Sequence, residues 1–224
     1  MVAKRFKSVF AVLLTAAILG WCANSNNAHS SDNKEIKIGI SQLIEHPGLD
    51  ATREGFIEGL KSKGFEYGKN ISIDFQNAQG DIPTTQTIAQ KFVSEKMDMI
   101  MAIATPAAQA AYNTTKDIPI LVTAVTDPVE AGLVKSIKEP ETNVTGTSDY
   151  VSIDKQFELL KEILPEAKKV GIIYNTSENN SEIQVNNAKN TAPKFGLEIV
   201  TAGITNVNDV PQALNSLVGK VDVV

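Results

Sequence analysis

The 224-residue sequence has a single cysteine, Cys22, so no disulfide can close within the chain. It has two histidines, His29 and His46, and no Cys/His cluster at zinc-binding spacing. Gly-x-Ser-x-Gly, His-Glu-x-x-His and the phosphate-loop string are all absent. A Ser/His/Asp nucleophile system would rest on His46 alone. No Gly-x-Gly-x-x-Gly follows the first strand candidate, which argues against a dinucleotide, and no cofactor is expected. Basic residues are also in short supply. The balance is 21 Lys and Arg against 26 Asp and Glu, and Lys4, Arg5 and Lys7 belong to the extreme N-terminus. Such a charge argues against nucleic acid as a partner and against a surface held electrostatically on anionic lipid. Long apolar runs are lacking too. Val9 to Trp21 is uncharged for thirteen residues, short of the roughly 20 that a spanning helix needs. What remains is 42% hydrophobic and 21% charged, the composition of an ordinary globular chain.

The N-terminus has its own organisation. A basic start, a short apolar run and an abrupt change to polar residues describe a secretory signal peptide. Leu19-Gly20-Trp21-Cys22 resembles the bacterial lipobox, in which a leucine and two small residues precede a lipid-bearing cysteine. Trp21 departs from that pattern, and cleavage after Ser25 is the competing reading. The resemblance implies residues 1–22 as a lipoprotein signal peptide, Cys22 as the lipid attachment point, and residues 23–34 as a flexible Ser/Asn-rich tether.

From residue 35 onward strands alternate with helices. Glu35 to Ser41 (EIKIGIS), Asn70 to Gln76, Asp98 to Ala104, Ile118 to Ala124 and Asn143 to Thr147 read as strands. Leu49 to Lys63, Thr84 to Lys96 and the stretch from Thr105 to Lys116 read as helices. The same succession then begins again. Ile153 to Leu164 is helical, Lys168 to Tyr174 repeats the character of EIKIGIS, Ser181 to Phe195 is helical, and Gly196 to Ala202 takes the place of the second strand. Val210 to Val218 is helical and Val221 to Val224 starts a further strand. Lys-Met-Asp98-Met-Ile and Lys-Val-Asp222-Val-Val correspond in the two runs. The pattern predicts an α/β protein of two Rossmann-like lobes with parallel sheets, residues 35–149 and 150–224. The second run halts in its third strand, so the sequence is expected to be a C-terminally truncated form with an incomplete second lobe.

Ligands of open parallel sheets bind beyond the carboxyl ends of the strands. That rule selects five loops. In ATPAAQAA, Thr105 is placed as a helix N-cap with Pro106 at the first helical position, a start whose free N–H groups attract a carboxylate or phosphate. In AVTDPVEAGLV, Thr126 can donate from its hydroxyl and Asp127 can accept from an ammonium. Tyr150 offers an aromatic wall where the chain passes between lobes. NTSENNSE offers Asn175, Ser177, Glu178, Asn180 and Ser181. The fifth loop, Gln42 to Gly48, contains His46.

Together the lipobox, EIKIGISQLIEHPGLDATREGF, ATPAAQAA and TDPVEAGLV resemble ABC-transporter substrate-binding lipoproteins of the tryptophan/tyrosine type. The resemblance implies the type I periplasmic-binding-protein fold, with a ligand enclosed between two hinged lobes and no enzymatic activity. It implies a carboxylate held by Thr105, with Ala124 and Thr126 serving the carboxylate and ammonium. Asp127, Tyr150, Asn175 and Glu178 complete the candidate ligand set, and no metal ligand is among them. An acidic residue that the family places after the third strand of lobe two would lie beyond Val224. The implied partners are an amino acid, aromatic by preference, the permease subunits of an ABC importer, and the bacterial membrane through the lipid anchor; the implied location is extracytoplasmic. A sensory or sugar-binding member of the same fold is the alternative, with a secreted hydrolase or isomerase as the alternative of another class.

Overall fold

The computed structural model describes residues 35–224. The expected signal peptide over residues 1–22 with Cys22, and the expected tether over residues 23–34, lie outside the described residues. Residues 36–224 cluster as one compact unit that carries two parallel sheets. The first contains β1 (Ile36–Gln42), β2 (Ile71–Asn77), β3 (Met99–Ile103), β4 (Ile120–Val125) and β5 (Val144–Ser148) in the order β2-β1-β3-β4-β5. The helices α1 (Pro47–Ser62), α2 (Ile82–Ser94) and α3 (Thr105–Thr114) connect the first four strands. Strand side chains alternate between faces, and here both faces are covered. Ile38, Ile40, Met101 and Ile103 pack with Leu49, Phe56 and Leu60 of α1. On the opposite face Ile100, Ala102 and Val122 join Phe92 of α2 and Ala107, Ala108 and Ala111 of α3. Gly39 is required there, because a Cβ would stand 2.7 Å from the Phe92 ring.

The second sheet pairs β6 (Lys169–Asn175) with β7 (Glu198–Ile204). Around it lie α4 (Ile153–Ile163), α5 (Asn179–Thr191) and α6 (Val210–Leu217). The expected strand at Val221 to Val224 appears as a single parallel bridge, Val170 to Val223, on the free side of β6. The order Val223-β6-β7 thereby repeats β3-β1-β2. The matched aspartates confirm the repeat at atomic level. Asp98 Oδ2 accepts from the Lys37 N–H at 2.9 Å, and Asp222 Oδ2 accepts from Lys168 and Lys169 at 2.7 and 2.8 Å.

Helix ends differ from the sequence expectation for local reasons. α1 starts two residues early, at Pro47, because a proline suits a first turn and His46 Nδ1 accepts from the Gly48 N–H at 3.1 Å. α2 starts at Ile82, capped by Asp81, which accepts from Thr84 N at 3.0 Å. α5 begins at Asn179 and stops at Thr191. Pro193 has no N–H to give, and residues Ala192–Phe195 tighten into a 3-10 turn closed by Gly196 at φ 65°. Among the described residues no helix is long and apolar enough to cross a membrane.

Candidate functional site

β3 ends at Ile103, and the chain turns through Ala104 directly into α3. Thr105 is the first residue of that helix. Its N-cap is Ala104, which makes no side-chain bond, so the expectation of Thr105 as a cap is corrected. The cause is backbone geometry: Ala104 adopts φ 80°, ψ 155°, a region nearly reserved for glycine. This moves Thr105 into the first turn and under the sheet end. It is 2% exposed, and its Oγ1 has no hydrogen-bond partner in the protein. A buried hydroxyl left unpaired costs free energy, so a protein that keeps one invites a functional account. Around it are the unpaired N–H groups and positive dipole end of α3.

The next loop lies beside it, since β3 and β4 are hydrogen-bonded neighbours. Ala124 has φ 53° where the β4–β5 register shifts between Val122 and Val125. Thr126 follows, half-buried, and its carbonyl accepts from Ser148 Oγ at 2.7 Å. Asp127 is used by its own turn, as Oδ1 accepts from Val129 and Glu130 N–H at 2.9 Å each. A further N–H, from Tyr150, reaches Ser148 Oγ at 3.0 Å, so Ser148 ties the crossover between sheets to the Thr126 loop. Tyr150 itself is 56% exposed.

In the second sheet, Asn175 and Glu178 are partners of each other, Nδ2 to Oε1 at 2.8 Å. Asn175 Oδ1 also accepts from the Ser177 N–H and hydroxyl. That loop is internally bonded, whereas Asn180 Oδ1, at the second residue of α5, is buried without a partner. α5 and α3 are in contact. A cavity of about 460 Å³ opens on the flank of β6, lined by Phe157, Tyr174, Asn175, Gln184 and Val224 among others. It includes Asn175 and none of the other six predicted ligand residues.

Sequence reasoning missed Ser41. It is 1% exposed, and Oγ is without a partner at the carboxyl end of β1. The available signal was a hydroxyl at the end of a strand buried on both faces. Gln42 beside it is fully buried and fully used: Nε2 donates to Ile44 O and Asp50 Oδ1 at 2.8 Å, and Oε1 accepts from Arg53 at 2.9 Å. The Gln42 bond, helped by Arg53, holds the Asp50 carboxyl below its ordinary pKa. Among the described residues, no three His, Cys, Asp or Glu side chains gather as metal ligands.

Comparison with known proteins shows the lineage. A tyrosine-binding protein of Clostridioides difficile is 60% identical over 201 residues, covering 90% of this chain and 58% of that protein. The chain thus spans well under two thirds of that relative's length. A complex with L-Trp from Streptococcus pneumonia is 38% identical and superposes with a TM-score of 0.80, covering 84% of this chain and 64% of that one. The ligand-free, open structure of a substrate-binding protein from Clostridium difficile is 61% identical, yet superposes with a TM-score of 0.61, covering 84% and 63%. Identity therefore does not rank these likenesses, and the fit is better to the L-Trp complex than to the open form. The α/β architecture is that of the type I periplasmic-binding proteins. With residues 37–224 matching the model of the ABC transporter substrate binding proteins, the chain belongs to that family.

Proposed function

We propose that this protein is the extracytoplasmic solute-binding component of an ABC importer and takes a small amino acid, aromatic by preference, between lobes 35–149 and 150–224. It binds and releases without catalysis. One observation carries this reading. The Thr105 hydroxyl is buried and unpartnered at the N-terminus of a ten-residue helix, at the carboxyl end of a parallel strand. A carboxylate satisfies the hydroxyl, the free N–H groups and the helix dipole together. The names of the relatives support an amino acid as its bearer, since one is called tyrosine-binding and another holds L-Trp. Ala124 and Thr126 border the same strand end. Asp127, Tyr150, Asn175 and Glu178 form the rim, with Asp127 and the Asn175–Glu178 pair shaping loops in this structure.

The test is calorimetric titration with L-tyrosine and L-tryptophan against a panel of sugars. Thr105→Ala removes one hydrogen bond to a charged group, worth about 1.5–3 kcal/mol, so affinity falls roughly 10- to 150-fold. Because the hydroxyl caps nothing and has no protein partner, ligand-free stability holds or rises. Unchanged affinity in the variant, or sugar binding in its place, would reject the assignment.

The same reading places Cys22 as the lipid anchor that keeps the protein beside permease subunits at the bacterial membrane. The lipobox-like Leu19-Gly20-Trp21-Cys22 supports it. Cys22→Ser then releases the protein from the membrane fraction, and equal membrane recovery of both forms contradicts the anchor.

A further inference from the structure

Thr105 is not the only buried hydroxyl here that lacks a partner. Ser41 Oγ shares the condition, so no hydrogen bond within the protein accounts for a hydroxyl at that place. Its orientation follows from the strand. Gly39 faces Phe92 of α2. Side chains two apart in a strand share a face, so Ser41 lies on the side covered by α2 and α3. Register agrees: Ser41 stands opposite Ala102 of β3, and Ala102 packs in the cluster that contains Ala107 and Ala108 of the first turns of α3. Thr105 comes three residues after Ala102. Two unpartnered hydroxyls, 1% and 2% exposed, therefore lie at the carboxyl ends of adjacent strands, Ser41 in the end of β1 and Thr105 in the first turn of the helix that follows β3. They do not bond each other. Gln42 on the opposite face shows that this strand end satisfies polar groups where only structure is at stake.

We propose that Ser41 is a second hydroxyl ligand of the bound carboxylate, donating to one oxygen while Thr105 donates to the other. This rests on the carboxylate reading of the Thr105 site and deepens it. A pair of neutral donors with a helix N-terminus selects a singly charged carboxylate. Each hydroxyl rotates to donate, and no cationic side chain is needed.

The experiment compares the unmutated protein with Ser41→Ala by calorimetry with L-tyrosine and L-tryptophan, by melting without ligand, and by the ¹³C resonances of bound, uniformly ¹³C-labelled L-tyrosine. Ser41→Ala lowers affinity roughly 10- to 150-fold, as loss of a hydrogen bond to a charged group does. It leaves the ligand-free melting temperature unchanged or raised, and it shifts the carboxyl resonance while the ring resonances stay. Binding that is normal in the unmutated protein and equally tight in Ser41→Ala overturns this proposal alone. Weaker binding with an unmoved carboxyl resonance, or a lowered ligand-free melting temperature, also overturns it, because the residue then acts through the fold. Failure of the unmutated protein to bind either amino acid removes the ligand class and this proposal with it.

Discussion

The two sheets follow one local plan and differ in how deeply they bury it. Each places its third extended segment beside its first, with its second on the other side, and each uses an aspartate to hold the start of the first strand. In the first sheet five strands have helices on both faces, and Phe92, Ile40, Ile100 and Ile120 are sealed from solvent. In the second, Ile172 and Ile199 are only partly buried, and Leu159, Ile163, Val207 and Val218 are more than half exposed. Of the largest fully buried side chains, Leu217 alone belongs to the second. Local pairing thus needs only a short stretch of suitable sequence. Depth needs strands on either side and helices above and below.

The strongest way to break this contrast is to cut one aromatic from each core. Phe92→Ala empties a sealed site against Gly39, and the loss is about 3–5 kcal/mol. Phe157→Ala removes an edge-on partner of Phe195, 5.8 Å away, but Phe157 already lines the open cavity beside β6. Solvent and neighbours relax into that space, so its cost falls at or below about 3 kcal/mol, the low end for such truncations. Urea unfolding of the two variants measures both. Equal losses would mean that the second core is as tightly packed as the first.

How much of this was legible depended on whether the governing interaction was periodic or singular. Alternation of Ile36, Ile38 and Ile40 announces β1, and the Lys-x-Asp98 and Lys-x-Asp222 correspondence announces the repeat, because both are patterns of side-chain type. Thr105 is marked as a candidate by the strand-end rule, which depends only on topology. Its role as a cap was misread, because nothing in an alanine signals that Ala104 will adopt φ 80°. Ser41 went unnoticed since a serine that ends a strand looks like any polar boundary residue; only its burial and lack of a partner single it out. Asp127 and the Asn175–Glu178 pair were chosen for their chemistry, and the loops consume part of that chemistry internally. Such short-range capture by Asn and Asp is common and hard to foresee at a given residue.

The mildest probe sharpens the contrast at the edge of β6. The N–H bonds from Lys168 and Lys169 hold the Asp222 carboxyl below its ordinary 3.8. A carboxylate with a depressed folded-state pKa contributes stability above its unfolded value and loses it as pH falls through the folded one. Acid should therefore loosen the Val221 to Val224 segment from β6 below about pH 4, before the first sheet responds. The first sheet has its own lowered carboxyl, Asp74, where burial raises the pKa but bonds from Lys91 and Gln76 outweigh it. That group sits on the edge strand β2, which is paired with β1 along its whole length, so its titration opens little. The reporter is Gly171, whose N–H donates to Val223 O at 2.7 Å. Its exchange protection should fall as pH drops below about 4 while that of the β1 and β3 amides persists. In Asp222→Asn the drop should vanish, because an amide oxygen accepts the same bonds without titrating, and protection should be slightly lower throughout. The effect is small, since Asp222 is open to solvent and its charge is screened. If Asp222→Asn retains the full acid response, the loosening comes from other carboxylates, and the clamp holds only geometry.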